Sequence, residues 1–567
     1  MVVGRRKREP VRVVMDARPG ILYGIGVRIP LGWSRVRGYR ARWSLVSLLG
    51  VEAAGGAAVA SPLVAQARAT STPTFSREVA PVLYRQCAAC HRPEGPAPFS
   101  VLRYEEARPW AAAILASTEA RRMPPWLPEP GIARFIGERR LSGEELRLIR
   151  RWVEAGAPEG DPADLPSPPE FPSGWQLGQP DLVVTLPPFT APAEARDRYR
   201  NLVAPIPVAD LRYVRAVELR PGDAHVVHHA TMLLDTTETS RRLDAEDPEP
   251  GFDGMDLHRT AFHPPGFFVG WTPGRVAAPG ADSLAWPLQP GTDVVLQVHL
   301  PPRQVPRVIT PQIGFHFASA PRRPSPVVIM LSAREIDIPA GSAGYTVSDG
   351  YLLPVDVDVL SVYPHAHYLG KELEGYARLP GGRVRWLIRI KDWDFNWQDE
   401  YRLAEAVFIP RGSMLTMRWR YDNAAANPRN PNRPPLRVQY GPRSVDEMGD
   451  LAFQVLPRTV EDAEALERDV RWKYLADRAQ WMSRWAYRQG LDLAARGRYA
   501  EAVERYREAL LSKPTTDVHV ALADALLGQG DTAAAVLHLG QAARLAQNAG
   551  QTALVTELRQ RLRRLRH

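Results

Sequence analysis

Apolar and polar positions change rhythm three times along this chain. Between about 74 and 160 they follow helical spacing. Ser76 is expected to cap a helix carrying Val79 and Leu83. Ser142-Gly143-Glu144-Glu145 has capping-box form and opens a second helix that buries Leu146, Ile149, Trp152 and Val153, stopping at Gly156 before Pro158. A proline-rich linker follows over 161–180, with Pro166-Ser167-Pro168-Pro169. From 181 to 457 the pattern becomes short alternating apolar runs between Gly, Pro and Asp turns. Asp293-Val294-Val295-Leu296-Gln297-Val298-His299, Val355-Asp356-Val357-Asp358-Val359 and Met414-Leu415-Thr416-Met417-Arg418-Trp419 are examples. Many short strands of this kind predict a β-sandwich or jelly roll. About 275 residues is large for one sandwich, so two are expected, over 181–322 and 323–457, with the break near Pro321 to Pro326. From 472 to 567 the spacing is helical again.

That last region repeats. Ala494 to Ala502 recurs as Leu527 to Ala535, with Gly497, Ala500 and Ala502 matching Gly530, Ala533 and Ala535. Tyr506 and Ala509 correspond to Leu539 and Ala542, and the offset, 530 minus 497, is 33 residues. This is close to the tetratricopeptide period, and two or so helix pairs would make a docking surface for a protein partner without bringing chemistry. A plain helical bundle is the other reading. The whole chain is thus expected to be multidomain: a small all-α domain, two all-β jelly-roll sandwiches and C-terminal tetratricopeptide-like repeats.

Composition narrows the classes. The chain has 567 residues, 45% hydrophobic and 24% charged, ordinary values for a protein of several domains. Its net charge of +9 is modest and its arginines are scattered, so nucleic acid is not an expected partner. Residues 1–69 read as an export leader. Arg35, Arg37, Arg40 and Arg42 precede Trp43-Ser44-Leu45-Val46-Ser47-Leu48-Leu49, and an Ala/Gly-rich run ends at Ala65-Gln66-Ala67. Glu52 interrupts the apolar run and no later segment is long enough to span a bilayer. The mature chain is expected outside the cytoplasm, periplasmic or extracellular, with no integral membrane span.

Both cysteines of the chain lie in Cys87-Ala88-Ala89-Cys90-His91. Two thiols two residues apart and followed at once by histidine read as a covalent haem c attachment site, one thioether per vinyl group, with His91 on the iron. A redox Cys-x-x-Cys or half a zinc site are the alternatives. Zinc needs a second ligand pair nearby, but the next histidine is His225; a thioredoxin-type motif needs a βαβ context that is missing here. Met123, in Arg121-Arg122-Met123-Pro124-Pro125-Trp126, is the one methionine between His91 and His225, with no histidine, cysteine or lysine competing in that stretch. It is the expected second axial ligand, and a core methionine is the plain alternative. The segment 74–160 is therefore read as a cytochrome c domain holding one haem.

The β region carries most of the histidines. His228 and His229 adjoin in Ala224-His225-Val226-Val227-His228-His229-Ala230-Thr231-Met232; His299 ends Leu296-Gln297-Val298-His299; His365 and His367 lie in Val362-Tyr363-Pro364-His365-Ala366-His367-Tyr368-Leu369-Gly370. Residues two apart on a strand share a face, so His365 and His367 can grip one ion. Adjacent histidines on an ideal strand diverge, so His228 and His229 chelate only where the backbone is irregular or a third ligand reaches across. Each histidine taken singly reads as structural.

In order and context these segments, with Ser444-Val445-Asp446-Glu447-Met448, resemble the copper type II, ascorbate-dependent monooxygenases, the family of peptidylglycine α-hydroxylating and dopamine β-monooxygenase. The resemblance spans about Asp181 to Pro457. It implies two jelly-roll domains and two coppers: His228, His229 and His299 hold the electron-transfer ion, and His365, His367 and Met448 hold the ion that meets O2. A thioether with two imidazoles also selects Cu(I) on its own chemistry. Asp446 and Glu447 are expected in a surface turn that aims Met448, and His225, His258, His263 and His316 at the surface or behind the ligands. The family's disulfides are impossible here. Its carboxylate-anchoring positions are occupied by Tyr363, Asp450 and Ala452, which argues against peptide amidation.

The function this implies is an exported copper monooxygenase hydroxylating a C–H bond of an unknown small molecule with O2. An external electron donor would feed it through the fused haem, on to the His228/His229/His299 copper and then to the second. A non-catalytic haem and copper electron carrier, or copper-binding scaffold, is the rival.

Overall fold

The computed structural model describes residues 72–566, apart from 94, 172–173, 195–196, 255–260, 274, 276, 278, 322–323 and 442. The leader expected over 1–69 and His258 lie outside the described residues. What is described begins with helices, continues through antiparallel sheets and ends in helices.

A helical turn, Phe75–Val79, runs into α1 (Ala80–Gln86), followed by α2 (Tyr104–Ala107), α3 (Ala111–Glu119) and α4 (Gly143–Glu154). Phe75, Leu83, Ile149 and Trp152 bury completely in one core. The capping box at α4 forms as its sequence predicts: Glu145 N donates to Ser142 Oγ at 3.1 Å, and Ser142 N donates to the Glu145 carboxylate at 2.6 Å. Ser76 does not cap the first helix. Thr74 holds that position, and its N–H donates to Glu78 one turn on.

The first sandwich comprises β1 (Leu182–Thr185), β2 (Phe189–Ala191), β3 (Arg198–Pro205), β4 (Arg212–Arg220), β5 (His229–Asp235), α5 (Thr239–Glu246), β6 (Phe252–Asp253), β7 (Val269–Trp271), β8 (Trp286–Leu288), β9 (Asp293–Leu300), β10 (Arg307–Ile309) and β11 (Gln312–Ala318). Its sheets run β1-β11-β4-β8 and β6-β3-β9-β5-β7. The second holds β12 (Val327–Ser332), β13 (Asp337–Ile338), β14 (Tyr345–Leu352), β15 (Val357–Ala366), β16 (Gly370–Arg378), β17 (Val384–Ile390), β18 (Tyr401–Ile409), β19 (Met414–Tyr421), β20 (Val438–Gln439) and β21 (Gly449–Pro457). Its main sheets run β12-β21-β15-β18 and β14-β19-β16-β17. Leaving aside the short side strands, both sandwiches share one order. The first, last, third and sixth strands make one sheet, and the second, seventh, fourth and fifth make the other.

Alternation explains the layers. Along β9, Val294, Leu296, Val298 and Leu300 enter the space between the sheets. Val295 packs on the other face with Val203, Leu233 and Phe252, and His299 occupies that same outer face. Along β15, Val362 and Ala366 enter the second core while Tyr363 and His365 point outward. β11 ends at Ala318 and β12 begins at Val327.

Two boundaries differ from those read in the sequence. The segment from 124 to 140, expected inside the helical domain, leaves it and straps onto the second sandwich. Glu129 N donates to Arg389 O and Ile136 N to Arg402 O, both at 2.8 Å, and Ala404 N returns a bond to Arg134 O. Phe135 is buried in the second core and Trp126 meets Tyr401 edge-on at 5.3 Å. Linear spacing cannot reveal this, because its partners lie some 260 residues away. The C-terminal helices also begin earlier than 472. α6 spans Val460–Ala495, and Leu466 on it is fully buried in the second sandwich's core.

Beyond α6 come α7 (Tyr499–Ser512), α8 (Thr516–Gly528), α9 (Thr532–Asn548) and α10 (Thr552–Arg566). Positions related by the 33-residue offset share their burial: Ala502 with Ala535, Tyr506 with Leu539, Ala509 with Ala542. Gly497 and Gly530 both take φ near +75°, at 72° and 83°, as the tight turns between helices require. Among the described residues no helix is long and apolar enough to cross a membrane.

Candidate metal centre

His229 opens β5 and pairs directly with His299 on β9, so the two imidazoles project from the same face of the sheet. His228 precedes the strand and is free of its alternation; its N–H donates to His299 O at 2.9 Å. Both conditions for chelation are thereby met, an irregular neighbour and a third ligand across the ladder. The three side chains converge through one kind of atom. Nδ1 of His229 lies 3.1 Å from Nδ1 of His228 and 3.4 Å from Nδ1 of His299. An ion holding imidazoles at about 2.0–2.1 Å with tetrahedral angles spaces their nitrogens about 3.3 Å apart.

The tautomers agree. His299 Nε2 stands 3.0 Å from Asp197 Oδ1, an acceptor, so Nε2 carries the proton and Nδ1 keeps the lone pair. Tyr199 stacks flat on His299 at 4.5 Å. Burial pushes the Asp197 carboxyl up, but hydrogen bonds from His299 and Ser444 outweigh it and bring it down to about 2. Asp197 went unnoticed in the sequence. It lies just before β3, the neighbour of β9, and no spacing in the sequence marks it.

On the second sandwich His365 and His367 share a face as the spacing predicts, with ring centroids 5.3 Å apart. Here the opposite nitrogen is offered. His365 Nδ1 is hydrogen-bonded to Gln398 Oε1, whose amide is oriented by Nε2 donating to Phe395 O at 3.0 Å. His367 Nδ1 lies 3.1 Å from Asp446 O. Both Nδ1 atoms therefore carry hydrogen, and Nε2 is left as the donor to an ion. Met448 is 5% exposed. β15 and β21 pair His365 with Asp450 and Ala366 with Gly449, so the next residues in line are His367 and Met448.

Glu447 is not on the surface, as the sequence suggested, but fully buried. Its carboxylate accepts the N–H groups of His367, Leu369 and Met448, tying the ligand segment to the methionine. Burial pushes it up to about 8 against those bonds. His316 is buried in β11, and the His263 ring meets Phe268 at a tilt, 4.9 Å away.

The two sets stand side by side where the sandwiches meet. The rings of His229 and His365 are 6.4 Å apart, and Phe395 bridges the two sets by another path, 4.8 Å from His228 and 5.5 Å from His367. Burial favours the neutral form of four of these imidazoles. It pushes His228 down to about 4 and His367 to about 3, and lowers His229 and His365. Neutral imidazoles are what a cation needs.

In the helical domain, His91 Nδ1 faces Phe99 O at 3.2 Å, again reserving Nε2. Cys87 and Cys90 flank the loop, both thiols pushed up by burial, Cys87 to about 12. Met123 is half-buried in the turn after α3, where the strap begins, and its N–H donates to Ser117 O.

No protein-family model matches this chain, and no curated protein matches it. Solved structures that align with it include an infectious bursal disease virus VP2 subviral particle, at 11% identity and a TM-score of 0.16 over 50% of this chain and 75% of that one. Sulfolobus Turreted Icosahedral Virus aligns at 9% identity and a TM-score of 0.18, over 51% and 96%. Scores this low carry no argument about fold or function.

Proposed function

We propose that this chain is an exported, copper-dependent monooxygenase with its own haem c electron donor, similar to the ascorbate-dependent copper monooxygenases. The observation that carries the reading is the convergence of three Nδ1 atoms at ion-holding separations, with a second pair of oriented imidazoles and a buried thioether segment beside it. His228, His229 and His299 would hold one copper, and His365, His367 and Met448 the other. Bound copper would supply one-electron chemistry toward O2, and haem on Cys87, Cys90 and His91, with Met123 as second axial ligand, would supply electrons from an external donor. The shared strand order supports reading both sandwiches as jelly rolls, and the 33-residue offset supports tetratricopeptide-like repeats that dock a protein partner.

A second reading, a haem and copper electron carrier without substrate, is favoured by one feature. Tyr363, at the family's anchoring position, is stacked under Phe268 at 4.1 Å, and its hydroxyl is held protonated by burial. Metal and haem analysis of the mature protein decides the shared part: one haem and two coppers are expected, and one zinc without copper defeats both readings. Reductant-dependent O2 uptake with a panel of small C–H substrates separates them, since the carrier shows no substrate-dependent uptake.

A further inference from the structure

The Cys-x-x-Cys-His module adjoins the first sandwich in sequence, which suggests that it serves the three-histidine group. Its packing says otherwise. The strap from 124 to 140 adds to the second sandwich through backbone bonds at Glu129, Arg134 and Ile136, with Trp126 and Phe135 set against Tyr401. Cys90 opens onto a narrow cavity whose walls include Trp126, Trp397, Gln398 and Asp399. Arg139, next to Cys90, pairs with Asp399 at 3.1 Å, and both charges act on the Cys90 thiol. Gln398, one residue away, is hydrogen-bonded to His365. One turn therefore faces the Cys90 cavity and grips the strap with one residue, and bonds to an imidazole of the second set with its neighbour.

We infer that the module exchanges electrons with the His365/His367 side of the cluster, and that Gln398 and Asp399 are the positioning residues holding that contact. The inference rests on the copper and haem reading above. With both groups bound, the exchange would be of one electron, haem iron oxidised and copper at the second set reduced, with no bond made or broken. Two routes lead from this turn to the first set. One starts at Thr272, whose hydroxyl donates to Gln398 O, and crosses the β5–β7 ladder to Ala230 beside His229; the other runs from the Gln398 amide to Phe395 O and through the Phe395 ring, stacked on His228 at 4.8 Å. The hydrogen bond from Gln398 to His365 reaches an imidazole in one side chain, with fewer steps than either.

The test uses the full-length holoprotein, its haem and copper content measured first, with haem reduced and copper oxidised under anaerobic conditions. Rapid-mixing absorbance follows haem oxidation, and copper electron paramagnetic resonance identifies which ion is reduced. Gln398→Leu should slow haem oxidation about 10- to 100-fold, the usual cost of losing an outer partner of a ligand, with the haem spectrum unchanged; Gln398→Glu, which keeps an acceptor for His365, should recover most of the rate. His365→Ala should remove the fast phase, whereas His299→Ala should keep it. The reverse pattern, fast phase lost with His299→Ala and kept with His365→Ala, overturns the inference while leaving the copper and haem reading intact. A sample without haem or copper instead defeats that reading. In such a sample, hydrogen exchange still judges the docking. Asp399→Arg should expose the amides of Glu129 and Ile136, and Arg139→Asp with Asp399→Arg should protect them again. Unchanged exchange in Asp399→Arg overturns the positioning role.

Discussion

The two sandwiches repeat one strand order yet present imidazoles in opposite ways. The first offers three Nδ1 atoms, with Asp197 fixing His299 from behind. The second offers two Nε2 atoms, fixed from behind by the Gln398 amide and the Asp446 carbonyl, beside a buried thioether residue. The same fold thus builds an all-imidazole set with a carboxylate behind it and a softer mixed set with neutral partners behind it. What differs lies outside the ladders: a histidine just before β5 in one case, and the turn before β18 in the other.

The largest effects break one set and spare the other. His299→Ala should abolish metal at the first set, and His365→Ala at the second, each read by metal content per chain. Loss of both ions from either variant would mean that the six residues form a single site. Met448→Ala should weaken Cu(I) at the second set with little change for Cu(II), because a soft donor is lost. The same variant should cost about 2–5 kcal/mol of stability from the cavity, and Met448→Leu should recover stability without recovering Cu(I), as competition with a Cu(I) chelator and urea unfolding would show.

Asp197→Asn should lower affinity at the first set about 10- to 100-fold and leave the second unchanged. A pH series sharpens the comparison further. In the metal-free protein His228 and His367 stay neutral to about 4 and about 3, while an exposed imidazole protonates near 6.5. Between those values the unfolded chain binds more protons, so stability should fall as pH drops from about 6.5 toward 4. Urea midpoints that stay flat over that window would contradict the buried, neutral histidines. The smallest effect is at Trp472, which is 72% exposed. Trp472→Ala should change stability by no more than about 0.5 kcal/mol, against about 2–5 kcal/mol for Leu466→Ala on the same helix.

How legible these features are depends on whether their cause is local. His365 and His367 share a face because two is the period of a strand, and the capping box at Ser142 is a four-residue pattern. Both are written in adjacent letters. His228 and His229 needed the third ligand across the ladder, which the resemblance supplied. Asp197, Gln398 and Phe395 act across sheets or between sandwiches, and no spacing marks them. Glu447 reads as a surface acid because charged residues rarely bury, yet three backbone N–H groups await it there. Size does not mark the anchor of α6, since the large Trp472 is exposed. The anchor is Leu466, with Tyr351 donating to Asp469 at 2.6 Å and Trp481 meeting Tyr440 at 5.6 Å.

The strap has a consequence for the protein as a physical object. Its chain leaves the helical domain, grips the second sandwich, returns to finish the helical domain with α4, and only then travels through 161–180 toward the first. A protease that cut within 161–180 would sever the peptide link but not the clasp, because the strap lies upstream of the cut and its grip on β17 and β18 does not depend on the linker. The nicked protein should run as one particle under native conditions and separate into two only in denaturant.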